Sequence, residues 1–160
     1  FMGAQNFGHQ ASYGGRSNPA RGGQGFQGGR QDKMSPEPVT ALPLPKDYLD
    51  QAEELMRTGV KLITTSKIRR LLSLVTKVYN EEILRNETEL SADSLAAVGM
   101  MRIRFAYECG RDSKVKNFVE SARLMNYLKG IGNSRESFIQ FAQYMEALVA
   151  YHKFFGGKEN

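Results

Sequence analysis

From Asp47 onward, apolar side chains recur at intervals of three and four residues, and no segment alternates apolar with polar residues as a half-buried strand would. That spacing gives each segment an apolar stripe that must be buried against another helix. The fold class it predicts is all-α. The first helix runs from about Asp47 to Arg57, with Tyr48, Ala52, Leu55 and Met56 inward, Gly59 as its stop, and Asp50, Glu53 and Glu54 on an acidic outer side. The second runs from about Ser66 to Arg85 and turns Ile68, Leu71, Leu72, Val75, Val78 and Tyr79 to one side. The third runs from about Ser94 to Cys109, with Ser91 or Asp93 as its cap and Gly110 as its end. Leu95, Val98, Met101 and Phe105 line one side of it, and Met100, Ile103 and Tyr107 another, so two buried stripes and a central position are expected. Asp112 is the expected cap of a fourth helix, which carries Val115, Phe118, Val119, Ala122, Leu124, Met125 and Leu128 as far as Gly130. Asn133 or Ser134 starts the last, which bears Phe138, Phe141, Ala142, Met145, Leu148, Val149 and Phe155. The predicted architecture is a compact bundle of about five helices over residues 46–157, with 158–160 as a tail.

Residues 1–31 hold nine glycines, three arginines and no acid, too little apolar surface to offset chain entropy. A disordered, Gly/Arg-rich leader over residues 1–35 is expected. Phe1 ahead of Met2 suggests a tag remnant before the natural start, and an internal Met is the other reading. Within the leader, ARGGQGFQGGR resembles the Arg-Gly-Gly tracts of RNA-binding tails, although a solubilising leader accounts for the composition more simply. Pro36, Pro38, Pro43 and Pro45 then make a linker over 36–45 that cannot propagate a helix.

The chain carries 22 Lys and Arg against 17 Asp and Glu, a balance that suits a polyanionic partner. The stretch LITTSKIRRLLSLVTK, residues 62–77, holds Lys67, Arg69, Arg70 and Lys77 and no acid. Lys67, Arg70 and Lys77 share one flank of the predicted helix, beside its buried stripe. Thr64, Thr65 and Ser66 supply capping hydroxyls there, and the first-turn amides are then placed to receive a phosphate. A second basic group, RIRFAYECGRDSKVK, holds Arg102, Arg104, Arg111, Lys114 and Lys116. Arg104 and Arg111 lie seven residues apart on one face, whereas Arg102 is open to either an RNA contact or a pair with an acid of the first helix. Ordinary solvated basic faces remain the competing explanation for both groups.

Other function classes find little support. No apolar run approaches the roughly 20 residues of a membrane span. Cys109 is the sole cysteine and excludes an intrachain disulfide; with only His9 and His152 besides, no metal site or cofactor is expected, and a reducing cytoplasm is the default compartment. A metal-independent ribonuclease built on an Arg shortly before His152 would need Arg at 145, 146 or 147, where Met145, Glu146 and Ala147 stand. Gly157-Lys158 is followed by Glu159 and lacks a phosphate-binding loop. His152 with Glu146 is the one pair left for proton transfer, and a packed histidine is the simpler account. Cys109 has no base near it in sequence, and burial is expected. A non-catalytic protein is predicted.

The segments LITTSKIRRLL, RIRFAYECGRDSKVKNF and FIQFAQYMEALVAYHKFFGG, in that order, resemble the small subunit of the type III-A CRISPR effector, the Csm complex. The resemblance covers roughly Lys46 to Gly157. It implies an all-helical, non-catalytic scaffold repeated alongside guide RNA and its paired target RNA, with other Csm subunits and copies of itself as partners. By motif match it implies RNA-facing roles for Lys67, Arg69 and Arg70, and for Arg102, Arg104 and Arg111. Lys77, Lys114 and Lys116 are added from the charge pattern alone. The exposed aromatics of the closing YHKFFGG, Phe154 and Phe155, are candidates for protein contact. A helical protein adaptor without direct RNA binding is the alternative, supported by the opposition of an acidic first helix to the basic second and third.

Overall fold

The computed structural model describes residues 37–160. The expectations for the leader, its Arg-Gly tract and Phe1 lie outside the described residues. Among the described residues six α-helices follow one another: α1 (Tyr48–Gly59), α2 (Thr65–Glu82), α3 (Ala92–Arg111), α4 (Ser113–Ser121), α5 (Leu124–Gly130) and α6 (Arg135–Phe154), with one 3-10 turn at Val60–Leu62. The all-α expectation holds, since the described residues contain no strand and only an isolated antiparallel bridge between Glu89 and Ser134.

Hydroxyl and carboxylate caps start four of the helices. Thr64 accepts from the Lys67 amide, Ser91 from that of Ser94, and Ser134 from that of Ser137. Asp112 accepts from the amides of Lys114 and Val115.

The predicted fourth helix is two helices. Arg123 takes a left-handed conformation, φ 55° and ψ 34°, and ends α4 one residue before α5 begins. The apolar phase explains the break: Val115, Phe118, Val119 and Ala122 keep one stripe, whereas Leu124, Tyr127, Leu128 and Ile131 start another. Tyr144 on α6 secures the joint by donating its hydroxyl to the Ala122 carbonyl at 3.1 Å.

The central helix is α6, and the expectation for α3 is corrected. α6 packs against both α1 and α2, and buries Phe138, Phe141, Ala142, Tyr144, Met145, Leu148 and His152. α3 buries Val98, Met101 and Phe105, and reaches α6 through Phe105, whose ring lies 6.5 Å from that of Phe141. Its second stripe faces solvent: Met100, Ile103 and Tyr107 are 49%, 60% and 65% exposed. Periodicity alone cannot count how many neighbours a helix has.

The proline-rich stretch, read as a linker, lies against α5. Leu42 donates its amide to Asn126 O at 3.1 Å, and Asn126 and Lys129 donate to the carbonyls of Thr40 and Val39. Gly130 permits this approach, because a Cβ there would run into the Leu42 carbonyl. At the other end of the bundle, fully buried Glu82 joins α2 to the following loop and to α6. Its carboxylate accepts from Arg85 at 2.8 Å and from the Ser91 amide at 3.3 Å, and its carbonyl accepts from Arg135 at 2.8 Å.

Candidate nucleic-acid interface

α2 and α3 run antiparallel, so basic residues some thirty positions apart in sequence meet along one seam. At one end Lys67 pairs with Asp112, Nζ to Oδ2 at 2.6 Å. One turn on, Arg70 and Arg111 approach opposite oxygens of Glu108, at 3.6 and 3.7 Å. Further along, Lys77 and Arg104 border a groove of about 390 Å³ with Ser73, Leu74, Ala97 and Met100. Neither cation has a carboxylate within ion-pair distance among the described residues.

The seam therefore gathers Lys67, Arg70, Lys77, Arg104 and Arg111, five cations against two carboxylates. Sequence reasoning took Asp112 for a helix cap only and passed over Glu108, although each stands inside the second basic segment. Lys67 and the capping amides hold the Asp112 carboxyl below its ordinary range. Arg111 also leans over the Tyr107 ring, its guanidinium carbon 5.9 Å from the centroid.

The remaining candidates lie elsewhere. Arg69 occupies another flank of α2, where its charge reaches Glu159, a carboxyl held below its usual range chiefly by Lys153. Arg102 is exposed, and the pair with an acid of α1, one of its two readings, is not formed among the described residues. Lys114 and Lys116 are exposed on α4, with Lys116 toward Cys109 and Glu120. Phe154 is 76% exposed, whereas Phe155 is partly buried on the core and stacks with Tyr151 at 6.2 Å.

The expected phosphate cradle at the start of α2 is already filled. The amides of Thr65 and Ser66 donate to Lys158 O at 2.8 Å and Glu159 O at 3.3 Å, and that of Lys67 to Thr64 Oγ1. The tail reaches them because Gly157 lies flat on the buried His152 ring, where a Cβ would collide. His152 is a structural residue. Its Nε2 lies 2.7 Å from Ile63 O and its Nδ1 3.4 Å from Thr65 Oγ1, while Glu146 is exposed elsewhere on α6. Burial pushes the Cys109 thiol up, reinforced by Glu120, the opposite direction to that of an activated thiol. Among the described residues, no helix is long and apolar enough to cross a membrane.

Comparison with known proteins gives one answer. Residues 44–158 match the Csm2 type III-A family. A Streptococcus thermophilus protein named CRISPR system Cms protein Csm2 is 41% identical over 120 residues, 71% of this chain and 95% of the relative. A protein of the same name from Mycobacterium tuberculosis is 38% identical over 118 residues, 71% of this chain and 94% of its own. One from Enterococcus italicus is 36% identical over 112 residues, 69% and 78% of the two chains. The seam on α2 and α3 and the closing aromatic segment lie inside the matched region, and the chain belongs to the Csm2 type III-A family, that of the Csm complex small subunit.

Proposed function

We propose that this Csm complex subunit is a non-catalytic RNA-binding scaffold, repeated in the cytoplasm along a guide RNA–target RNA duplex and contacting its backbone through the α2/α3 seam. The observation that carries the reading is that Lys77 and Arg104 border one groove with no carboxylate within ion-pair distance among the described residues. A duplex that must be held whatever its sequence is held by its phosphates, and Lys and Arg there give salt-sensitive affinity without a base code. Lys67, Arg70 and Arg111 extend the seam, with Glu108 and Asp112 fixing their side chains. Arg69, Arg102, Lys114 and Lys116 are peripheral contacts. One subunit with so few phosphate contacts binds weakly, so useful affinity comes from several copies on one RNA, together with the other Csm subunits.

The adaptor reading is favoured by a different observation, the exposed Phe154 beside the partly buried Phe155 and Tyr151. A filament subunit needs such a protein contact as well as an RNA face. The decisive experiment is capture of the chain with Csm partners and guide RNA over a salt series, comparing wild type with Lys77→Glu/Arg104→Glu. Loss of RNA from a correctly folded, assembled variant supports the seam. Unchanged RNA retention at every salt concentration overturns it and leaves the adaptor.

A further inference from the structure

On α3 the basic residues of the seam alternate with an exposed aromatic: Arg104, then Tyr107 three residues later, then Arg111 four residues after that. These spacings put all three on adjoining parts of one helix face, one turn apart. Tyr107 is 65% exposed, and the Arg111 guanidinium lies 5.9 Å from its ring centroid while also approaching Glu108 within the seam. Ile103, one turn before Tyr107, is 60% exposed and continues the apolar surface.

An exposed tyrosine between two arginines has the parts a single nucleotide needs. A phosphate takes a guanidinium, and the base, one sugar away, takes the aromatic face. Bases inside a duplex are stacked on their neighbours and offer no face. An unpaired base does, and aromatic and guanidinium planes are the side chains that receive it. Backbone contacts at Lys77 and Arg104 do not call for an aromatic.

Resting on the seam reading, we infer that Tyr107, flanked by Arg104 and Arg111, is a stacking site for an unpaired nucleobase of the RNA strand held at the seam. The site has no strong base preference, because every base has a π-face. It makes the seam bind a strand containing an unpaired nucleotide more tightly than a continuous duplex.

The test uses the full chain at low ionic strength with two RNA probes long enough to hold several copies: a fluorescein-labelled oligouridylate and a continuous duplex of equal length. Wild type, Tyr107→Ala, Tyr107→Phe and Lys77→Glu/Arg104→Glu are compared by anisotropy. Tyr107→Ala is expected to weaken single-strand binding about tenfold, to leave duplex binding and the salt slope unchanged, and to be rescued by Tyr107→Phe. Since the side chain is exposed, thermal unfolding should not move. If Tyr107→Ala binds single strands as wild type does while the Lys77/Arg104 reversal loses them, the stacking site is overturned and the seam stands. If Tyr107→Ala leaves RNA binding intact but loses Csm protein partners, the face is a protein contact and the inference again fails. If wild type binds neither probe, the seam reading falls and takes the inference with it.

Discussion

Lys67 and Asp112 join two helices through one carboxylate: Oδ2 meets Lys67 Nζ at 2.6 Å, while Oδ1 accepts the Lys114 amide at 2.9 Å and that of Val115 at 3.4 Å. The same side chain thus caps α4 and fixes the start of α2 beside the end of α3. A residue at the edge of the candidate RNA face is also structural, which changes how that face should be probed.

Asp112→Ala removes cap and ion pair together and should lower the melting temperature more than Asp112→Asn, which retains an oxygen for the α4 amides. Lys67→Met should fall nearer to Asp112→Asn. Thermal unfolding of the three variants checks the order, and equal loss in all of them would show that the cap contributes nothing. Reversing the charge of Lys67 and Arg70 would set new carboxylates against Asp112 and Glu108. Lys77 and Arg104 are therefore the cleaner pair for testing RNA contact.

Glu82 is fully buried, and burial alone would raise its carboxyl. The donors around it, Arg85 and Ser91 among them, outweigh burial and hold it below its ordinary value of 4.5. A carboxyl depressed in the folded chain adds stability above the unfolded value, and that stability is lost as pH falls through the folded one. The urea midpoint of the wild type should therefore fall as pH drops below 4.5, and fall less steeply in Glu82→Gln. At neutral pH that variant should be less stable by about 2 kcal/mol. Parallel pH curves for the two proteins would contradict this.

Arg123 holds a left-handed conformation that costs a residue with a Cβ about 1–2 kcal/mol. Arg123→Gly relieves it, while adding freedom to the unfolded chain, and should stabilise by about 0.5–1 kcal/mol net. Arg123→Val should destabilise. Chemical denaturation distinguishes the two, and a loss of stability in the glycine variant would mean that the Arg side chain outweighs the backbone term.

Phe154 and Phe155 have different surroundings despite their adjacency. Phe154→Ser should change stability by less than about 0.5 kcal/mol and weaken incorporation into the complex. Phe155→Ser should also lower the melting temperature, because that ring packs on the core and on Tyr151. A double substitution mixes the two effects. Undiminished incorporation of Phe154→Ser would remove this cluster from the assembly surface.

Much of the fold was legible in the chain because helix signals are local. Ser91, Asp112 and Ser134 are the caps found, and the apolar spacing gave α1, α2 and α6 their inner sides, while on α3 it offered two stripes where one is buried. The break at Arg123 was also present, as a slip of the apolar phase between Ala122 and Leu124, and was masked by the high helix propensity of the residues around it.

What the sequence determined by itself is the all-α class, most of the helices and their caps, the basic character of two segments and the family they belong to, since all of these depend on residue order and short spacing. Tertiary structure alone decided which helix is central, because burial of Tyr107 or of Tyr144 depends on whether a neighbour arrives. It also decided that Lys77 and Arg104 share a groove while Arg69 faces the tail. Finally, it decided that the carbonyls of Lys158 and Glu159 fill the amides at the start of α2. Charge along a chain is fixed by sequence, but which charges meet depends on how α2 and α3 pack, and a contact between residues 67 and 112 leaves no trace in local periodicity.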